Sequence, residues 1–492
     1  MNGSIVSMIA QVARMVLTIL STVVLARLLQ PTDFGLLAMA TTVTGFIGMF
    51  TDMGLSTPTV QRPVLSQAMV STLFFLNVIT GVALALIGMA TAPIAAALFS
   101  DGRVTNAVLL LSLSIPLAAA GAQHNALLTR SMRWIPAQFS GLFGQVVALI
   151  VAIIAVTVWH IGYWALLIQP IIATAISTAL LWFFSGWRPS LIFDLGGTRS
   201  EIHFGAGLTG FQLVNYFHRQ LDNIVVGWWW GTAPLGLYSR GYNIFASIQA
   251  MCSWPVTGVL LPLLSRTRHD ADYYNRNLLD AVAAVALLNG LLGCLLICLS
   301  DNIIYFLLGK QWAESATVFK YLAPTILISG NAVFGTVFTA RGDTRGLMIS
   351  AIVNTLGFAT GFLIAVPHGI AAVAAAYSII SLFAWPVTVH LALSRESLSQ
   401  SRYYSVTVPI LAASLAIISC FTAMFETRFG PISLAQFVLR GTLIAVSYGL
   451  LALLLSQVFP ELRTFRGRLL GWLQHLLDSR KLRLLSPGAS RE

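Results

Sequence analysis

Charge is scarce in this chain. Of its 492 residues, 9% are Asp, Glu, Lys or Arg, against about 25% in soluble domains. The chain is 57% hydrophobic, with a mean hydropathy of +0.82. A water-soluble fold is excluded, and repeated apolar runs of about 20 residues read as membrane-spanning helices. The period-2 alternation of a transmembrane β-barrel is absent, so helices are the remaining way to satisfy backbone groups in lipid. There are four cysteines, Cys252, Cys294, Cys298 and Cys420, all inside apolar runs. Cys294 and Cys298 sit one helical turn apart without a nearby His or carboxylate, so they read as packing residues and no metal site is expected. GxxxxGK[ST], HExxH and GxSxG motifs are missing, which argues against an ATP site or a hydrolase centre. No cofactor is expected. The first external loop offers Asp33 and the second Asp101 as acidic residues, which argues against a membrane glycosyltransferase or polymerase. Residues 1–13 contain no Lys or Arg, so Ile5 to Leu29 reads as a first span and not as a cleaved signal.

About fourteen spans are expected: 5–29, 34–54, 69–99, 105–127, 138–158, 162–185, 204–230, 235–264, 278–308, 316–340, 346–366, 370–393, 404–425 and 434–457. Basic residues favour cytoplasmic loops. With the N-terminus inside, the inner loops hold Arg62, Arg130, Arg133, Arg188, Arg199, Arg266, Arg268, Arg276, Arg341, Arg345, Arg395 and Arg402. The outer side holds Arg27, Arg103, Lys310, Lys320 and Arg428. This asymmetry predicts an even number of spans with both termini cytoplasmic. It also accounts for most of the net charge of +11 as an orientation signal, with no implication of nucleic-acid binding. The tail "LRTFRGRLLGWLQHLLDSRKLRLLSP" mixes Phe465, Trp472 and leucines with six basic residues. It reads as an interfacial helix on an anionic leaflet, or as a loosely ordered basic tail.

A weak internal repeat underlies the spans. Shifting residues 8–38 forward by 201 aligns Gln11 with Gln212, Gly35 with Gly236 and Leu36 with Leu237. Identity is low and chance is the competing explanation. An offset of six helices preserves orientation, which implies two parallel lobes related by an axis along the membrane normal. The expected division is a lobe at 1–200, a second at 201–400, two additional spans at 401–458 and a basic amphipathic tail at 459–492.

The repeat makes the polar residues in the spans interpretable. Ser7, Gln11, Arg14, Thr18 and Ser21 are spaced 4, 3, 4, 3, which puts them on one helical stripe. The offset carries the last four onto Gln212, Asn215, Arg219 and Asp222 of "NYFHRQLDNIVVGWWWG". Two polar lines facing one central cavity are cheaper than charges facing lipid. Arg219 and Asp222 are i,i+3 neighbours, and His218 and Asp222 are i,i+4; a self-neutralised structural pair and a ligand-binding cavity both remain open. Arg14 has no acidic residue near it on its own helix, which suits an anionic partner such as phosphate. Arg240 either extends the basic lining or reaches to water. His218 is a structural histidine or a proton carrier. Trp228, Trp229 and Trp230 belong to an aromatic belt or stack on a sugar.

"ARLLQPTDFGLLAMA", "TDMGLSTPTVQR", "LLTRSMRW", "LGLYSRGYNI" and "LLGKQWAESATVFKYLAP" resemble segments of bacterial polysaccharide exporters of the Wzx type, nearest the colanic acid exporter branch. The resemblance implies the fold of the multidrug/oligosaccharidyl-lipid/polysaccharide superfamily, an all-α polytopic membrane protein with two six-helix lobes around a central cavity. Two extra C-terminal helices exceed the family's twelve-helix form. It implies a flippase for undecaprenyl-pyrophosphate-linked oligosaccharides in the bacterial inner membrane, serving exopolysaccharide or O-antigen synthesis. Arg14, Gln11, Asn215, Arg219 and Arg240 are the expected substrate-binding residues, and Asp222 the ion-coupling one, for a proton or Na⁺. Membrane lipids and polysaccharide polymerase machinery are the expected partners. A cation-coupled multidrug antiporter of the same superfamily is the alternative.

Overall fold

The computed structural model describes residues 3–191 and 216–485, apart from 53, 218, 268, 329–330, 395, 397 and 426–431. Among the described residues every regular element is helical. The chain opens with α1 (Gly3–Leu28), α2 (Pro31–Gly48), a short α3 (Thr57–Gln61), α4 (Gln67–Phe99), α5 (Arg103–Ser112), α6 (Ser114–Arg130), α7 (Trp134–Thr157) and α8 (Trp164–Ser185). The helical residues 219–230 form α9. They are followed by α10 (Thr232–Thr267), α11 (Ala271–Cys298), α12 (Ser300–Leu308), α13 (Ala313–Leu322), α14 (Pro324–Leu327) and α15 (Asn331–Arg341). The chain continues with α16 (Thr344–Ala365), α17 (Ile370–Leu393), α18 (Gln400–Met424), α19 (Leu434–Val458) and α20 (Pro460–Leu485). Ten helical segments among the described residues are long and apolar enough to cross a membrane, α5 and α6 together making one of them. The protein is an all-helical, multi-pass membrane protein.

Helix starts are set by local chemistry. Gln30 and Asp33 form a capping box at α2, with Pro31 opening the first turn. Ser66, Asp270 and Ser399 cap α4, α11 and α18 by accepting from backbone N–H groups that have no partner inside the helix. Proline breaks two of the expected spans. Pro116 has no N–H for the Ser112 carbonyl, so 105–127 divides into α5 and α6. There the Ser114 hydroxyl donates to the neighbouring Leu111 carbonyl at 2.6 Å. Pro324 likewise separates α13 from α14 within the expected span 316–340.

The chain forms two compact units. The first comprises Met1–Ile248, Ile303–Leu322 and Ala351–Ile380. At one of its ends Arg130 donates to the carbonyls of Thr59 at 3.2 Å and Pro63 at 2.9 Å, and Arg133 to that of Phe184 at 2.9 Å. The loops carrying Arg62 and Arg188, expected on the cytoplasmic side, share this end. At the other end Gln311 and the Trp312 indole donate to the Ala26 carbonyl at 2.7 and 2.9 Å, and the Trp230 indole to that of Val366 at 2.7 Å. The loops expected outside meet there. Asp101 lies beyond the end of α4, and its bond to the Arg103 guanidinium holds the carboxyl below the usual carboxylate range.

At this second end α2 and α10 meet through backbone. A Cβ on Gly35 would stand 2.5 Å from the carbonyl carbon of Thr232, and one on Gly236 2.7 Å from that of Pro31. The repeat offset that aligns Gly35 with Gly236 also aligns Pro31 with Thr232. Each glycine therefore packs on the counterpart of its own neighbour, as helices related by a local two-fold axis would. Ala26 and Gly227, aligned by the same offset, are likewise both contacted by aromatics, Trp312 and Phe99.

The second unit comprises Gln249–Asn302, Ala323–Ser350 and Ser381–Glu492. Its core includes Phe334, Trp385 and Tyr403, with the Trp385 indole donating to the Tyr403 hydroxyl at 2.9 Å. Glu396 accepts from the Tyr274 hydroxyl at 3.2 Å and pairs with Arg341 at 3.1 Å. The first turns of α20 dock on this core through Leu462 and Phe465, and Arg468 pairs with Asp280 of α11.

Candidate functional site

The polar stripe of α1 faces α7 and α8. Arg14 donates from Nη2 to Gln138 Oε1 at 2.9 Å, and Gly141 leaves room for its guanidinium on α7. One turn along, the Thr18 hydroxyl returns to the Arg14 carbonyl at 2.9 Å. Gln169 of α8 donates to Ser21 Oγ at 2.8 Å. Gln11, at the other end of the stripe, is exposed. Thr18 and Ser21 open onto a cavity of about 400 Å³ inside the first unit. Its walls come from α1, α2, α7, α8 and α10, with Phe34, Thr41, Gln145, Gln169 and Thr174 among them. Arg240 of α10 enters from the far wall, with its guanidinium carbon 4.7 Å from the centre of the Phe34 ring. That is within the range of a cation–π contact. Arg240 Nε and Gln145 Oε1 are buried without hydrogen-bond partners.

Asp222 lies elsewhere in the same unit. It is 3% exposed and accepts from the Tyr238 hydroxyl at 3.0 Å and from the Asn223 backbone N–H at 2.8 Å. Tyr238 stacks on Tyr242, whose ring meets Tyr377 at 6.0 Å. Phe358 lies 4.9 Å beyond Tyr377. Arg219 is exposed on α9 and does not pair with Asp222, although the two are one turn apart. The structure thus brings Arg240 to the cavity, sets Arg14 one turn from its rim, and keeps Asp222 in a separate aromatic setting. Asn215, Gln212 and His218 lie outside the described residues.

Tyr238 and Arg240 are two residues apart, about 200° around α10, so one helix points its phenol at the buried carboxylate and its guanidinium into the cavity. This coupling was not read from the sequence, and neither were Gln138, Gln145 and Gln169. The signal for the glutamines is the one that exposed the arginines, a strong hydrogen-bonding group inside an apolar run: "GLFGQVVALI" and "LLIQPIIA". Trp228, Trp229 and Trp230 are all substantially exposed at the end of α9. Among the described residues no group of His, Cys, Asp and Glu is placed to hold a metal.

Residues 24–317 match the family described as Polysaccharide biosynthesis protein. The chain is 25% identical over 400 residues to the teichuronic acid biosynthesis protein TuaB of Bacillus subtilis (strain 168), covering 78% of this chain and 80% of that protein. It is 24% identical over 350 residues to the lipopolysaccharide biosynthesis protein WzxC of Escherichia coli (strain K12), covering 69% and 70%. Its fold matches that of the lipid II flippase MurJ in an inward closed conformation, with a TM-score of 0.72 at 16% identity over 91% of this chain and 97% of that one. An inward-facing multidrug resistance MATE family transporter matches with a TM-score of 0.62 at 12% identity, over 79% and 94%. With more than half of its length inside the family match, the chain belongs to the Polysaccharide biosynthesis protein family.

Proposed function

We propose that this protein is a flippase that moves undecaprenyl-pyrophosphate-linked oligosaccharide repeat units across the bacterial inner membrane for exopolysaccharide or O-antigen assembly. It works by alternating access, is not an enzyme, and uses no ATP site of its own. The observation that carries this reading is the cavity in which Arg240 is the one charged lining residue among those described. Its walls are otherwise neutral, so an entering anion meets a desolvated cation with no carboxylate competing for it. The named relatives act in the biosynthesis of teichuronic acid and lipopolysaccharide, and both lines of support point to a polymer precursor as cargo.

In this reading the two lobes close around the headgroup while the polyprenyl tail stays in lipid. Arg14, within one turn of the cavity, takes the anion before or after Arg240, and Gln11 lies at the approach. Arg219 and Asn215 provide the counterpart line from the second repeat. Asp222 exchanges a proton or Na⁺ and biases which end is open, because a ligand shifts a conformational equilibrium only through unequal affinity for its states. Both termini lie in the cytoplasm, on the side of the Arg130 and Arg188 loops. Polymerase machinery receives the product on the other face.

Deletion in the native host tests the proposal. Surface polysaccharide should fall and lipid-linked repeat units should accumulate. Normal polysaccharide without accumulation would refute it. The buried Asp222 favours a second reading, a cation-coupled multidrug antiporter. The guanidinium in the cavity weighs against organic cations as cargo, and unchanged drug susceptibility on deletion would dismiss that reading.

A further inference from the structure

The last helix has no part in the transport reading. α20 begins at Pro460, two residues after the candidate span α19 ends at Val458, so its start lies at a membrane face. At about 1.5 Å per residue its 26 residues run about 39 Å. The first half is fastened to the protein. Leu462 is 2% exposed in the core of the second unit, which also holds Tyr274 and Tyr403, and Phe465 packs against that core. Arg463 donates to the Gln457 carbonyl, Arg466 donates to Ser456 Oγ at 2.9 Å, and Arg468 pairs with Asp280. The cover then stops: Leu469 and Leu470 are 43% and 52% exposed.

The sequence beyond that point is not that of a solvated tail. Leu462, Phe465, Leu469, Leu473 and Leu476 are spaced 3, 4, 4 and 3, an apolar stripe over about four turns. The core takes up the first two, and the third is already exposed. Arg480, Lys481 and Arg483 follow, so that α20 holds six basic residues against two acidic ones, Glu461 and Asp478. A helix in water leaves such a stripe unburied, and a helix sunk in hydrocarbon exposes six cations to it. A stripe and cations together, starting where a span ends, match a helix lying in the headgroup layer of an anionic leaflet. The end of the second unit on which α20 docks has the same sign: Arg276 and Arg402, near the starts of α11 and α18, are both exposed.

We propose that the second half of α20 is a docking surface for anionic phospholipid of the leaflet beside it, with the stripe from Leu469 onward entering the headgroup layer and Arg480, Lys481 and Arg483 pairing with lipid phosphate. The inference does not depend on the cargo or on the transport reading. The three arginines of the first half bond to protein groups, which leaves lipid recognition to the second half. Because Leu462 and Phe465 are fixed in the core, lipid held by the second half steadies the second unit as well.

The test attaches an environment-sensitive fluorophore through Leu477→Cys in the otherwise cysteine-free full chain. The protein is reconstituted in vesicles of phosphatidylcholine alone, or of phosphatidylcholine and phosphatidylglycerol in about equal parts. Emission should shift to the blue in the anionic vesicles. Each basic residue near an anionic surface is worth about fivefold in an equilibrium constant, so Arg480→Gln, Lys481→Gln and Arg483→Gln combined should weaken docking about a hundredfold and remove most of the shift. High salt should reverse the shift in the unsubstituted chain by screening, which tests the charge even if the triple variant fails to fold. Phosphatidylglycerol should also raise the melting temperature of the wild-type chain in mixed micelles more than that of the triple variant. Equal emission in both vesicles, or a shift that survives both high salt and the triple substitution, would overturn the proposal. A blue shift found in native membranes but not in the anionic vesicles would give the face to a protein partner and overturn it as well. None of these readouts involves transport, so their failure leaves the flippase reading untouched.

Discussion

Replacing Gly35 by alanine adds one methyl group at the place where α2 and α10 touch backbone to backbone. That carbon would lie 2.5 Å from the carbonyl carbon of Thr232. Carbon atoms sit comfortably about 3.5–4.0 Å apart, so the two helices must part by about 1 Å or more. Overpacking of this kind costs about 1–3 kcal/mol, and the upper figure applies because both sides of the clash are helix backbone. About 3 kcal/mol is a factor of roughly 150 in an equilibrium constant. If this contact seals one end of the transporter, a seal closed about 99% of the time would become open about as often as closed. The cavity-lining Thr41, changed to cysteine in a background lacking the native cysteines, reports the seal through labelling by a membrane-impermeant maleimide from the side of Arg27 and Asp101. Labelling should be slow in the parent and fast in Gly35→Ala. Gly236→Ala should behave alike, since its clash is the reciprocal one, and the double variant should add little to either single variant. Gly48→Ala, on the same helix with nothing within 4 Å, is the control. A folded Gly35→Ala protein that labels as slowly as the control would refute the seal.

Further outcomes follow from particular contacts. Arg14→Ala should reduce flux and free Gln138, whereas Arg14→Lys should restore little, because the fork geometry is lost; transport in vesicles measures both. Asp222→Ala should destabilise the protein by about 1–3 kcal/mol by leaving the buried Tyr238 hydroxyl unpaired. Asp222→Asn should fold nearly normally yet lose the response of transport to an imposed ion gradient. The Asp101–Arg103 pair should be lost as pH falls through the lowered carboxyl value, since its stabilisation is full above about pH 4. Asp101→Asn should abolish that part of the acid dependence of the melting temperature. Truncation before α20 should expose Leu462's site on the second unit and lower the melting temperature, with a smaller loss for Arg468→Ala, whose ion pair is partly exposed.

The membrane class, the helical fold and the grouping of the loops at two ends of the first unit were legible because each depends on patterns longer than a turn. Apolar runs, the scarcity of charge and the distribution of arginines survive errors of several residues. Breaks within spans were less legible. Pro116 and Pro324 stop a helix, but Pro93, Pro170 and Pro386 lie inside intact ones, so proline alone does not decide where a span breaks. The site divides the same way. Arg14 and Arg240 announced themselves as charges in hydrocarbon, whereas Gln145 was not read from the sequence, although it lines the same cavity. The Arg219–Asp222 ion pair, one of the two readings the sequence left open, does not form. Three residues on one helix are near in height, yet Asp222 turns inward to Tyr238 while Arg219 remains outside.

Phe34 ties the cavity to the seal. It adjoins Gly35 in sequence, meets Trp312 edge-on at 5.4 Å and carries the Arg240 guanidinium on its face. A desolvated cation–π contact is worth about 2 kcal/mol, which holds Arg240 in the cavity while no anion is present. An arriving phosphate or carboxylate competes with the ring for the guanidinium, and the stronger charge-assisted hydrogen bonds win. Phe34 then loses its cation–π partner, while its edge-on contact with Trp312 beside the glycine seal remains. On the proposed mechanism, ligand binding and loosening of the seal become one event, which is what alternating access requires of a cargo. Phe34→Leu separates them, because it keeps an apolar side chain and removes the ring face. The variant should bind sugar-bearing undecaprenyl pyrophosphate up to about thirtyfold more tightly, the equivalent of about 2 kcal/mol no longer spent on displacing Arg240. The cargo should no longer accelerate maleimide labelling at position 41. Unchanged affinity together with intact cargo-stimulated labelling would show that Phe34 only fills space.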